Sequence, residues 1–136
     1  MTLTYTLDDI EKVAEQCIEK LQGRKVMAIH GSMGAGKTTL VHAICEKKKI
    51  KGQVTSPTFS IINEYGSEEG AIFHIDLYRL KDEEEAIRSG IEDCLYSGSL
   101  CLVEWPEKAE GIFPPETLHI HIDPIDEKLR QITIDS

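Results

Sequence analysis

Gly31-Ser32-Met33-Gly34-Ala35-Gly36-Lys37-Thr38 is the stretch from which the rest of the chain is best read. It satisfies G-x-x-x-x-G-K-[ST] in full and stands between an apolar run, residues 26–30, and a helical pattern, residues 37–48. Strand, glycine-rich loop and helix in that order predict a phosphate-binding P-loop rather than an incidental turn. The glycines let successive backbone N–H groups turn inward around phosphate oxygens, and the following helix aims its positive dipole end at them. Lys37 is expected to reach the β- and γ-phosphates as an exposed charge without core contacts, and the Thr38 hydroxyl to ligate magnesium.

Upstream of this loop, Thr6 and Asp9 read as the cap and acidic first turn of a helix. Ile10, Val13, Ala14, Cys17, Ile18 and Leu21 then fall on one helical face, which ends near Gly23. Downstream, residues 58–64 and 71–79 predict two strands of an antiparallel hairpin around Gly66, Ser67, Glu68, Glu69 and Gly70. Residues 82–88 predict a surface helix ending at Gly90, and residues 100–103 a buried strand stopped by Glu104-Trp105-Pro106. Residues 117–122 and 129–134 alternate apolar and polar side chains, as a closing pair of strands would.

A P-loop needs a further carboxylate for its magnesium shell, and Glu104 at the end of an apolar strand fits that place. The alternative is a solvated glutamate at a strand terminus. Trp105, the single tryptophan, would cover the site or serve as a core or interface anchor. In His74-Ile75-Asp76-Leu77-Tyr78-Arg79, alternation puts His74, Asp76 and Tyr78 on one strand face. Asp76 would position an attacking water or complete the magnesium shell, or else the three line a solvated outer face. Thr55-Ser56-Pro57-Thr58-Phe59 occupies the place where P-loop switch proteins carry a hydroxyl-bearing loop that senses the γ-phosphate, though an ordinary turn reads the same way. Lys47-Lys48-Lys49-Ile50-Lys51 is expected as a solvated helix end. His119 and His121 share a face of a late strand without other ligands beside them and are assigned structural roles.

The 136 residues suit one domain, 1–136, and carry a formal net charge of −9 from 15 Lys plus Arg against 24 Asp plus Glu. So acidic a chain repels phosphate backbones and is not expected to grip nucleic acid unaided. Hydrophobic residues at 40% and charged residues at 29% are ordinary for a globular protein. No apolar stretch approaches a membrane span, and the start, MTLTYTLDD, lacks the basic and apolar regions of a signal peptide. A cytoplasmic location is expected. Cys17, Cys45, Cys94 and Cys101 show no C-x-x-C pairing and are expected as reduced, buried small hydrophobes.

With residues 31–39 (GSMGAGKTT), 56–59 (SPTF), 74–79 (HIDLYR) and 104–107 (EWPE) in this order, the sequence resembles the TsaE (YjeE) family over nearly its whole length. These are small P-loop ATPases required for threonylcarbamoyladenosine modification of tRNA, at adenosine 37 of ANN-decoding tRNAs. The resemblance implies a three-layer α/β P-loop domain with a mixed β-sheet flanked by helices, binding ATP with Mg2+. It implies that Gly34, Ala35, Gly36, Lys37, Thr38 and Thr39 hold phosphates and that Thr38 and Glu104 bind magnesium. Asp76 would serve hydrolysis or the switch, Ser56, Pro57 and Thr58 would form the switch loop, and adenine would lie between the Thr6 region and Arg130. The implied partners are TsaD- and TsaB-like subunits of the threonylcarbamoyl transferase complex, with tRNA engaged mainly indirectly. The chain departs from the family pattern at Ser32-Met33, where an acidic residue or Asn followed by Leu is usual.

Two rival functions compete with this reading. A small-molecule or nucleotide kinase would bring several arginines over the phosphates from a lid, whereas Arg24, Arg79, Arg88 and Arg130 are spread widely and no segment reads as a lid. A nucleotide-sensing subunit with incidental hydrolysis shares every motif and differs only in turnover. A GTPase is disfavoured, since no N-K-x-D guanine-reading motif occurs.

Overall fold

Val26, Met27, Ala28 and Ile29 are apolar without alternation, the pattern of a strand covered on both faces. In the computed structural model, which describes residues 1–51 and 61–135, they form β2 (Val26–Gly31) inside an eight-stranded sheet. The other strands are β1 (Thr2–Tyr5), β3 (Ile50–Lys51), β4 (Ile62–Ser67), β5 (Gly70–Asp76), β6 (Leu100–Glu104), β7 (Leu118–Pro124) and β8 (Arg130–Ile134). Their order is β1-β8-β7-β2-β6-β5-β4-β3. The central four, β7-β2-β6-β5, are mutually parallel, and an antiparallel pair flanks them on each side. The sheet is therefore mixed, as expected.

Helices cover both faces. α1 (Ile10–Leu21) and α2 (Lys37–Lys47) pack on the side of Met27, Ile29, Leu102, Leu118, Ile120, Ile122, Ile132 and Ile134. α3 (Glu83–Arg88), α4 (Ile91–Leu95) and a 3-10 segment, Pro106–Ile112, pack on the other side against Val26, Ile75, Cys101 and Val103. Two apolar clusters back to back on one sheet make the three-layer α/β arrangement. Each large aliphatic chain fully buried there contributes roughly 1.5–3 kcal/mol. Cys17, Cys45 and Cys101 are buried free thiols, and burial pushes Cys17 and Cys101 up to about 12. Cys94 is only half-buried.

Several expected boundaries move for local reasons. β5 stops at Asp76 rather than Arg79, because Asp76 Oδ1 accepts the Tyr78 N–H at 3.0 Å and turns the chain. The hairpin loop shrinks to Glu68 and Glu69, because Ser67 pairs with Gly70, whose φ of +119° suits glycine. The residues before Ile61 in the expected strand 58–64 lie outside the described residues. Gly90 (φ +83°) joins α3 to the unexpected α4 instead of ending the helical region. β1 was not anticipated either: it is a four-residue edge strand held to β8 in antiparallel register.

Candidate active site: a P-loop with its carboxylates

Register brings the candidate chemistry to one edge. Ile29 of β2 lies opposite Glu104 of β6, and Glu104 lies opposite Asp76 of β5, so both carboxylates reach the carboxyl end of the parallel strands beside the loop after Gly31. Ligands of open α/β sheets gather at that end. The loop itself needs its glycines. Gly34 and Gly36 adopt φ +79° and +105°, and no atom lies within 4 Å of a Cβ added at either, so backbone strain rather than crowding excludes a side chain there. Gly36 caps α2, whose first residues, Lys37 and Thr38, then face the strand ends.

Thr38 Oγ1 donates to Glu104 Oε1 at 2.9 Å and to Oε2 at 3.0 Å. Glu104 is 3% exposed, so it is no solvated strand-end glutamate, and its second partner is His74 Nε2, 2.6 Å from Oε2. A carboxylate only accepts, so His74 carries its proton on Nε2. His74 is fully buried and faces α2 on the same side of β5 as Asp76; the alternation argument holds for these two. Tyr78 lies past the strand end and is exposed.

Lys37 departs from expectation. It is 5% exposed, with Nζ 2.6 Å from the Gly31 carbonyl and 3.3 Å from the centre of the Trp105 ring. Burial pulls its pKa down, opposed by the charges of Glu104, Glu107 and Asp76. An ammonium held by an aromatic face and one carbonyl has few solvent contacts to lose on meeting a phosphate. Trp105 has a left-handed backbone (φ +59°, ψ +48°) just before Pro106, and its ring also packs on Tyr78 at 5.0 Å. No signal in the sequence pointed to this Lys37–Trp105–Tyr78 stack.

Two cavities share the loop. One, about 330 Å³, is lined by residues of the loop with Asp76, Tyr78, Glu104 and Trp105. The other, about 520 Å³, is bounded by Thr6, Leu7, Ile10 and Arg130, again with Gly34, Ala35, Gly36 and Thr39. Arg130 is fastened to the loop, its Nε donating to the Ala35 carbonyl at 3.1 Å and Nη1 to the Asp126 carbonyl at 2.6 Å. Thr6 and Arg130 thus meet at one cavity, and Lys37, Thr38, Asp76, Glu104, Tyr78 and Trp105 at the other. His74 lines neither. Ser56, Pro57 and Thr58 lie outside the described residues.

His119 and His121 have a neighbour the sequence did not reveal. His30 Nε2 lies 2.9 Å from His119 Nδ1, and the His30 and His121 rings stack at 4.3 Å. Burial and the two adjacent imidazoles push His30 down to about 4. Among the described residues no three His, Cys, Asp or Glu side chains form a metal-holding group.

The sequence pattern of the family described as "Threonylcarbamoyl adenosine biosynthesis protein TsaE" matches residues 4–132. The chain belongs to the TsaE family. It is 38% identical over 118 residues to the tRNA threonylcarbamoyladenosine biosynthesis protein TsaE of Haemophilus influenzae, spanning 86% of this chain and 75% of that one. The TsaE of Aquifex aeolicus is 37% identical over 131 residues, covering 93% and 89%. The crystal structure of Bacillus subtilis YdiB superposes with a TM-score of 0.68 at 27% identity, over 98% of this chain and 84% of that one. Membership of the TsaE family assigns the chain a role in tRNA threonylcarbamoyladenosine biosynthesis and a P-loop NTPase-like character. No helix among the described residues is long and apolar enough to cross a membrane.

Proposed function

We propose that this chain binds and hydrolyses ATP with Mg2+ as the ATPase subunit of a tRNA threonylcarbamoyl transferase complex, working in the cytoplasm with TsaD- and TsaB-like subunits. The observation that carries the reading is the meeting of Thr38 Oγ1 with both oxygens of the buried Glu104, beside a lysine already stripped of solvent. A hydroxyl and a carboxylate are hard oxygen donors that suit magnesium, so Thr38 and Glu104 would hold the ion. When bound, it supplies positive charge against the phosphate oxygens.

The rest is done by the chain's own groups. Backbone N–H groups of residues 34–39 cradle the phosphates at the start of α2, and Lys37 moves from Trp105 to the transferring phosphoryl group. Asp76, at the strand end beside Glu104, would accept a hydrogen bond from an attacking water, a role its register opposite Glu104 supports. Thr6 and Arg130 flank the base. The net charge of −9 fits a subunit that leaves the gripping of tRNA to its partners. With few arginines, the isolated chain would stabilise charge on the γ-phosphate poorly, so turnover alone should be slow.

The decisive test is threonylcarbamoyl transfer to tRNA, reconstituted with the partner subunits, with and without this protein, and with hydrolysable or non-hydrolysable ATP. Multiple-turnover modification that requires both the protein and hydrolysis supports the proposal. Modification indifferent to hydrolysis points to a nucleotide-sensing subunit, and rapid phosphoryl transfer to an acceptor by the protein alone points to a kinase.

A further inference from the structure

We propose that His74 is a positioning residue of the magnesium site, its Nε2–H fixing Oε2 of Glu104 so that Oε1 stays available to an ion that Thr38 also binds. This rests on the reading of Thr38 and Glu104 as the magnesium-holding pair. Glu104 is almost dry, so water cannot orient its carboxylate. Among the described residues its donors are two: a threonine hydroxyl, which rotates freely and shares one proton between both oxygens, and the His74 ring, which does neither. The ring is held on β5, with His74 opposite Leu102 and Asp76 opposite Glu104, so strand pairing sets the distance between imidazole and carboxylate.

Packing alone does not explain an imidazole here. Ile72 and Ile75, its neighbours on the strand, are buried aliphatic residues, and an aliphatic side chain would occupy position 74 with no polar atom to satisfy. His74 instead leaves Nδ1 buried with no hydrogen-bond partner among the described residues. Nε2 of His42, on α2 one turn beyond Thr38, is buried and unpartnered as well. Burial pulls the His42 pKa down, opposed by the nearby charge of Glu104. Among the described residues the bond to Glu104 is therefore the hydrogen bond that orients the His74 ring, and an unsatisfied Nδ1 is tolerated to keep it. Partners that orient a metal-holding carboxylate in this way typically change metal affinity by about 10–100-fold when removed.

The test measures ATP binding to the full chain by calorimetry, first in EDTA and then across a magnesium titration, for wild type, His74→Leu and His74→Gln. In His74→Leu the magnesium concentration for half-maximal effect should rise about 10–100-fold, while ATP affinity in EDTA stays near wild type. Gln carries an amide donor close to the place of Nε2 and should restore most of the magnesium response; a merely structural role would lower the melting temperature without moving it. If the leucine variant does not fold, imidazole NMR of the wild-type ATP complex decides: the His74 Nε2–H signal should shift on adding magnesium. An unchanged magnesium midpoint in His74→Leu, or an Nε2–H signal indifferent to magnesium, overturns the proposal while leaving the ATPase reading standing. Wild-type ATP binding that ignores magnesium overturns both.

Discussion

The two cavities that meet at the P-loop are built on opposite principles. At the phosphate end the charged groups are dry: Lys37 and Glu104 are each nearly inaccessible and held by partners from three different elements. At the other end the walls come from the turn after β1 and the start of β8, with Leu7 two-thirds exposed and Arg130 tied mostly to backbone carbonyls. A buried charge gains or loses much when its partner changes, and an exposed contact little. The comparison teaches that affinity and chemistry should reside at the dry end and discrimination of the base at the wet end.

The sharpest way to break this contrast is Lys37→Ala, which removes a desolvated ammonium from the phosphates. ATP affinity should fall about 30-fold or more, since truncating one partner of a buried charge pair costs about 2–5 kcal/mol. Nucleotide titration, with circular dichroism confirming the fold, measures it; wild-type affinity would remove the P-loop assignment. Next come Glu104→Gln and Asp76→Ala. Both should lower turnover in the full assembly on the order of tenfold to a thousandfold and lower ATP affinity less than turnover, as groups that act on developing charge do. Steady-state hydrolysis at the normal rate in either variant would show that carboxylate to be misassigned.

At the wet end the effects should shrink. Arg130→Ala loses the bond to Ala35 and should weaken ATP binding about tenfold, in line with hydrogen bonds to charged groups. Turnover at saturating ATP should change less. Thr6→Ala should be the mildest, about fivefold or less in affinity, because a partly exposed hydroxyl contributes at most about 1 kcal/mol. Competition between ATP and GTP in these two variants sharpens the contrast further: selectivity should move here and stay fixed in Glu104→Gln.

The dry end was largely legible in the sequence because its residues sit in short motifs: the glycine-rich loop 31–38, the end of an apolar strand and an alternating strand. Lys37, Thr38 and Glu104 could be named from a glycine-rich loop and the end of an apolar strand, and alternation placed His74 beside Asp76. Their partners could not. The Thr38–Glu104 and His74–Glu104 contacts span 66 and 30 residues of chain, and only the order β2-β6-β5 makes them neighbours. In the sequence Lys37 reads as exposed, because a lysine after a glycine loop carries no mark of the tryptophan that covers it. The same distance along the chain hid His30 from His119, and β1 was missed because four edge residues offer too little pattern to read.

The stack of Lys37 on Trp105 has an optical consequence. The chain contains one tryptophan, so all of its indole emission originates at the proposed phosphate end, beneath the Lys37 ammonium. Drawing Lys37 away from the ring would change the local field on that single emitter, so the protein carries a native, label-free reporter of events at the proposed phosphate site.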